Sequence, residues 1–190
     1  MLCFGARRRL GRVVTLLGMR SIFLVGFMGA GKSSVGTALA AQLGAQFVDL
    51  DGEISRRLGA PIPEIFARYG EDTFRTTERD ELERCAELPD VVVATGGGAF
   101  CSVANREVIH QTGGVSVFLD LPWAVLRERL VRDHSDRPMY DDPDQARQLF
   151  EERLPHYRCA LVRVSLAGQE DPAEVAGIVV ATLREAPCAI

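Results

Sequence analysis

What this chain lacks narrows its class before any motif is read. No apolar run reaches the roughly 18 residues that a bilayer span needs, so no membrane-spanning helix is expected. None of the five cysteines (Cys3, Cys85, Cys101, Cys159 and Cys188) forms a CxxC pair or stands at zinc-ligand spacing from a histidine. An odd number in a chain of 190 residues speaks against a disulfide framework and for free thiols in a reducing cytoplasm. An excess of basic charge is also missing. The net charge of -4 argues against nucleic acid as a partner and leaves any anionic ligand to a locally basic site. No internal repeat and no Ser/Gly-rich or Pro-rich linker divides the sequence, and its length suits one hydrophobic core.

The first 20 residues hold five arginines and no acid. A signal peptide needs a longer apolar centre than Val13 to Leu17, and a transit peptide needs more hydroxyl residues than Thr15 alone. Residues 1–19 therefore read as a disordered basic extension, or as translation from an upstream start with Met19 the true one; targeting is the lesser reading. A single domain is expected over 20–190.

Apolar runs of strand type alternate with helical stretches, the pattern of a parallel sheet covered by helices. Strands are expected at Ser21 to Val25, Phe47 to Val48, Val91 to Thr95, Val115 to Leu119 and Leu161 to Ser165. Helices are expected from about Lys32 to Leu43, Gly52 to Leu58, Ile62 to Tyr69, Glu71 to Leu88, Trp123 to Arg132, then up to Tyr157, and from Asp171 to Glu185. In the first of these, Val35, Leu39 and Leu43 recur at i, i+4 and i+8 and share one face. Ligands of such sheets sit beyond the carboxyl ends of the strands.

Gly26-Phe27-Met28-Gly29-Ala30-Gly31-Lys32-Ser33 matches GxxxxGK[ST] between an apolar strand and an amphipathic helix. Glycines let the backbone curl so that N–H groups point at phosphate oxygens, and the helix N-terminus adds partial positive charge. Lys32 is placed to reach the β- and γ-phosphates, and the Ser33 hydroxyl to ligate Mg²⁺. This motif specifies a nucleoside triphosphate but not the phosphoryl acceptor.

The acceptor side is read from residues that follow the other strands. Asp49 and Asp51 can divide two duties, one holding hydrated metal and the other orienting a substrate hydroxyl; Asp51 also suits a helix N-cap. Glu71, Arg75 and Arg79 stand at helical spacing and read as an ion-pair face, although a guanidinium fork at Arg75 also matches a carboxylate. Gly96-Gly97-Gly98 leaves room for a ligand against the backbone. The polar segment with Arg137-Pro138 reads as a mobile lid that carries an arginine to the transferring phosphate, against an ordinary surface loop.

Six stretches in this order resemble the shikimate kinase family: GFMGAGKSSVG from Gly26, DLD from Asp49, GEDTFRTTE from Gly70, TGGGA from Thr95, RP at Arg137, and RLPHYR from Arg153. The resemblance implies a three-layer α/β/α P-loop kinase fold with a five-stranded parallel sheet and a lid over about 133–145. It implies transfer of the ATP γ-phosphoryl to the 3-hydroxyl of shikimate, towards chorismate and the aromatic amino acids. By resemblance, Gly29, Ala30, Gly31, Lys32, Ser33 and Ser34 cradle ATP, Ser33 binds Mg²⁺, and Asp49 orders the metal's water shell. Asp51 binds the shikimate hydroxyls and is the candidate base. Arg75 and Arg153 hold the shikimate carboxylate, Gly97 meets the substrate through its backbone, and Arg137 touches the nucleotide phosphates. Arg129 or Arg132 contacts adenine. A monomer, free of nucleic acid and membrane, is implied as well. The basic extension and the long, acidic lid depart from the family pattern. The rivals are another kinase of the same fold, such as a gluconate kinase, and a non-catalytic nucleotide-binding module.

Overall fold

The structure is a computed structural model and describes residues 21–132 and 142–185. Residues 1–20, 133–141 and 186–190 lie outside it, and with them the basic extension, Arg137, Cys3, Cys188 and most of the expected lid. In chain order the elements are β1 (Ser21–Val25), α1 (Lys32–Leu43), β2 (Gln46–Asp49), α2 (Leu50–Leu58), α3 (Ile62–Glu87), β3 (Val91–Ala94), a 3₁₀ turn (Ala99–Cys101), α4 (Val103–Gln111), β4 (Val115–Asp120), α5 (Trp123–Arg132), α6 (Pro143–Tyr157), β5 (Val162–Ser165) and α7 (Pro172–Glu185).

The five strands form one sheet in the order β2-β3-β1-β4-β5, and every pairing is parallel. Every residue of β1 and β3 is buried. Strands covered on both faces must be apolar throughout, which is why these segments read as unbroken hydrophobic runs rather than alternating ones. Register then sets the site. Leu24 of β1 pairs with Ala94 of β3, and Ala94 pairs with Asp49 of β2. The carboxyl ends of three adjacent strands thus finish level, about 4.8 Å apart from neighbour to neighbour. The phosphate-type loop, the triple glycine and the Asp49–Asp51 pair leave the sheet side by side.

Helix packing fixes that edge. Gly36 on α1 faces β2 so closely that a Cβ there would lie 2.5 Å from Phe47 Cε2. Gly44 closes α1 in the left-handed conformation at φ 65°. The expected helices over Ile62 to Tyr69 and Glu71 to Leu88 are one continuous run, α3, broken only at Gly70 (φ 79°, ψ 171°), and Phe66 stacks on Phe74 across the break at 4.5 Å.

Two further differences stand out. α4 and the 3₁₀ turn are absent from the sequence expectation. α4 buries only Asn105 and Ile109, so it has almost no apolar stripe to read; its start is marked by Ser102, whose Oγ accepts from Asn105 N. The expected lid ran to about 145, but Pro143 to Gln145 form the first turn of α6. Asp142 Oδ1 caps that turn, accepting from Asp144 N at 2.9 Å and Gln145 N at 3.3 Å. Among the described residues no helix is long and apolar enough to cross a membrane.

Candidate active site

The loop after β1 turns back on itself through Gly29 (φ 77°) and Gly31 (φ 84°), a conformation open to glycine at little cost. Lys32 Nζ donates to the carbonyls of Gly26 and Phe27, both at 2.9 Å, and so lies across the arch it helps to shape. One residue on, Ser33 Oγ donates to Asp49 Oδ2 at 2.6 Å. Asp49, not Asp51, is the N-cap of α2, accepting from Gly52 N at 3.3 Å. A hydroxyl and a carboxylate at the loop's end form a hard-oxygen pair of the kind that Mg²⁺ accepts.

The triple glycine is the centre of the second half of the site. A Cβ on Gly96 would lie 2.6 Å from Asp51 Oδ1 and 3.2 Å from Glu78 Oε1. On Gly97 it would lie 3.4 Å from Arg153 Nη1 and 3.7 Å from the Met28 backbone N, and on Gly98, 3.0 Å from Arg75 Nη1. Each glycine therefore clears space for a different functional side chain, and Gly97 also touches the phosphate-type loop. Asp51, Arg75, Arg153 and Gly97 come together, next to the residues from Gly29 to Ser34.

Glu78 was not among the expected site residues, yet it is 2% exposed and ties the cluster. Arg75 Nη1 donates to Glu78 Oε2 at 2.9 Å, while its Nε and Nη2 reach Glu71 Oε1 at 3.2 and 3.1 Å. Burial pushes the Glu78 carboxyl above its usual range; the Arg75 charge opposes that rise and the nearby Asp51 charge adds to it. Burial also works against the Arg75 charge, but Glu78 and Glu71 outweigh it and leave its pKa raised. The signal in the sequence was the i, i+3 spacing of Arg75 and Glu78 on one helix face. Arg79, by contrast, pairs with Glu83 at 3.1 Å on the exposed face, as the ion-pair reading expected.

Tyr157 is a second residue the sequence reading gave no role. It is fully buried, and its hydroxyl donates to the Gly97 carbonyl at 2.5 Å. Burial pushes its pKa up, so it stays a donor. With the Gly97 carbonyl held against Tyr157, the following peptide N–H is turned the opposite way, as trans geometry requires.

Arg129 and Arg132, the two arginines expected near adenine, point to different surroundings. Arg132 pairs with Glu128 on the exposed side of α5. Arg129 turns inward, its Nη1 donating to Gly29 O at 3.2 Å and its Nη2 to Gly168 O at 2.9 Å. It borders a cavity of about 160 Å³ with Ala30, Gly31, Ser34, Glu170 and Pro172. That cavity adjoins the phosphate-type loop, and the Arg129 guanidinium forms part of its wall.

An arched glycine loop at the central strand, a hydrogen-bonded Ser–Asp pair at its end, and a separate cluster with two guanidiniums over glycine backbone are the parts of a P-loop phosphotransferase with a small anionic acceptor. The shikimate kinase family model matches residues 28–184. A shikimate kinase of Sulfurihydrogenibium sp. (strain YO3AOP1) is 40% identical over 158 residues, covering 83% of this chain and 93% of that relative. The structure of a shikimate kinase from Acinetobacter baumannii in complex with shikimate superposes with a TM-score of 0.81 at 36% identity, covering 90% of this chain and 96% of that one. A gluconokinase from Sinorhizobium meliloti 1021 is more distant, with a TM-score of 0.60 at 26% identity over 88% of this chain and 93% of its own. The chain belongs to the shikimate kinase family, and its activity is ATP-dependent phosphoryl transfer to shikimate.

Proposed function

We propose the following division of labour for that reaction. The observation that carries it is the convergence of Asp51, Arg75 and Arg153 on three successive glycines beside the phosphate loop. Gly29, Ala30, Gly31, Lys32, Ser33 and Ser34 cradle the ATP phosphates. Arg129 forms one wall of the base site. Arg75 and Arg153 hold the shikimate carboxylate, a fork-shaped match for each guanidinium, against Gly97. Asp51 faces the hydroxyls and accepts the proton of the 3-hydroxyl as its oxygen attacks the γ-phosphorus. The bond to the β–γ bridging oxygen breaks in line, and ADP leaves.

Ser33 and, through water, Asp49 suit Mg²⁺, since both offer hard oxygens at the mouth of the phosphate loop. When bound, the ion supplies charge neutralisation at the phosphates. Lys32 adds positive charge from the chain itself. Arg137, outside the described residues, is assigned to the nucleotide phosphates on its place in the RP motif alone. A single kinase domain over 20–190, a monomeric state and a cytoplasmic location belong to the same reading.

The test is ATP turnover with shikimate, quinate, gluconate and nucleoside monophosphates in parallel. Turnover with shikimate alone supports the assignment. Comparable turnover with gluconate or a nucleotide would mean that Arg75, Gly97 and Arg153 serve another ligand.

A further inference from the structure

The loop between β5 and α7 holds a connection that the reaction scheme does not use. Glu170 folds back so that its Oε1 accepts from Ala167 N at 2.9 Å and its Oε2 from Gly168 N at 2.7 Å. These backbone donors, Ala167 foremost, hold its carboxyl below the usual range, so it stays an acceptor. The turn it closes presses Gly168 against α5. With φ at +93°, a Cβ on Gly168 would lie 2.3 Å from Val125 Cγ1. From that position the Gly168 carbonyl accepts from Arg129 Nη2, while Arg129 Nη1 reaches Gly29 O in the phosphate loop.

Four groups are thereby linked in series: Glu170, the Gly168 peptide, the Arg129 guanidinium and the loop at Gly29. Arg129 has four rotatable side-chain bonds, and the plane it presents to the base cavity is set by two carbonyls, one on each side. Of those two, Gly29 O belongs to the phosphate loop and Gly168 O to the turn between β5 and α7, whose Ala167 and Gly168 N–H groups are both held by the Glu170 carboxylate. Glu170 also lines the same cavity.

We propose that Glu170 is a positioning residue for the nucleotide base: by clamping the Ala167–Gly168 turn it fixes the orientation of Arg129 and so sets affinity for the adenine half of ATP. The proposal rests on the reading of the Arg129 cavity as the base site. It assigns Glu170 no contact with the reacting atoms and no role towards shikimate.

Calorimetric titration of the full chain with ADP and with inorganic tripolyphosphate, which lacks a base, tests it. Glu170→Ala is expected to weaken ADP by about tenfold and to leave tripolyphosphate within about twofold, with the KM for shikimate unchanged. Glu170→Gln, which keeps one acceptor oxygen, is expected to recover part of the loss. Gly168→Ala, which leaves the carboxylate in place but forces the turn away from Val125, is expected to reproduce it. Wild-type ADP affinity in Glu170→Ala, alongside a loss in Arg129→Ala, would overturn the positioning role while keeping the base site. ADP affinity unchanged even in Arg129→Ala would overturn the base site and the proposal with it. Equal losses for ADP and tripolyphosphate would also overturn it, by placing the effect on the phosphate loop.

Discussion

Asp51 stands in the first turn of α2 with Oδ1 over Gly96, where a Cβ would lie 2.6 Å from it. Asp51→Asn keeps the shape and removes the proton acceptor. The expected result is a fall in kcat of about 10²- to 10⁴-fold with a modest change in the KM for shikimate; near-full turnover would remove Asp51 as the base. Tyr157→Phe deletes one oxygen from a buried site and leaves the Gly97 carbonyl without its donor. The KM for shikimate is then expected to rise by about tenfold while that for ATP holds. Equal shifts in both would make Tyr157 a packing residue only. Lys32 is the chain's one lysine among 22 basic residues. An aldehyde reagent followed by reduction should therefore label one side chain besides the terminal amine, abolish turnover, and be slowed by ATP; enzyme labelled at Lys32 that keeps its activity would contradict the role of Lys32. These residues were legible to unequal degrees. The motif residues could be read because each belongs to a spacing with its own chemistry. Glu78 left only its helical spacing from Arg75, and Glu170 left nothing, because a carboxylate in a loop gains its meaning from what lies across space from it.

At the scale of elements, the sheet was legible and the helix boundaries less so. A strand buried on both faces leaves an apolar run that little else explains. α4 leaves no such trace, since two buried residues in nine make no stripe. The positions of β2 and α2, which carry Asp49 and Asp51, depend on small residues that the pattern does not rank. Gly36 is one, and Gly36→Ala sets a Cβ against the Phe47 ring. It is expected to cost about 1–3 kcal/mol in urea unfolding and to displace the Asp49 end of β2. Unchanged stability would show that the ring can move aside. Glu81 fastens the same region from the other side: it is fully buried and bonds Arg57 of α2 at 3.0 Å from its place on α3. α2 and α3 therefore form one braced unit, with the break at Gly70 allowing the first part of α3 to turn away from the second.

The whole molecule is acidic at -4, yet its substrates are anions. The sheet resolves this by gathering cations at one edge. Lys32, Arg75, Arg129 and Arg153 arrive there from three helices and the phosphate loop, because the carboxyl ends of the strands finish level. Exposed ion pairs such as Arg79–Glu83 and Arg147–Glu151 lie on helix surfaces, where such pairs contribute little. The parallel topology thus does electrostatic as well as architectural work, and it supports the proposed anchoring of the acceptor by its carboxylate between Arg75 and Arg153, with its hydroxyl at Asp51. The most direct test compares kcat/KM for shikimate with that for its neutral carboxamide, in the wild type and in Arg153→Ala. The expected result is a preference for the acid of about 10²-fold or more in the wild type that collapses in Arg153→Ala. A wild type that phosphorylates the carboxamide as well as the acid, or an Arg153→Ala variant that keeps the full preference, would contradict it.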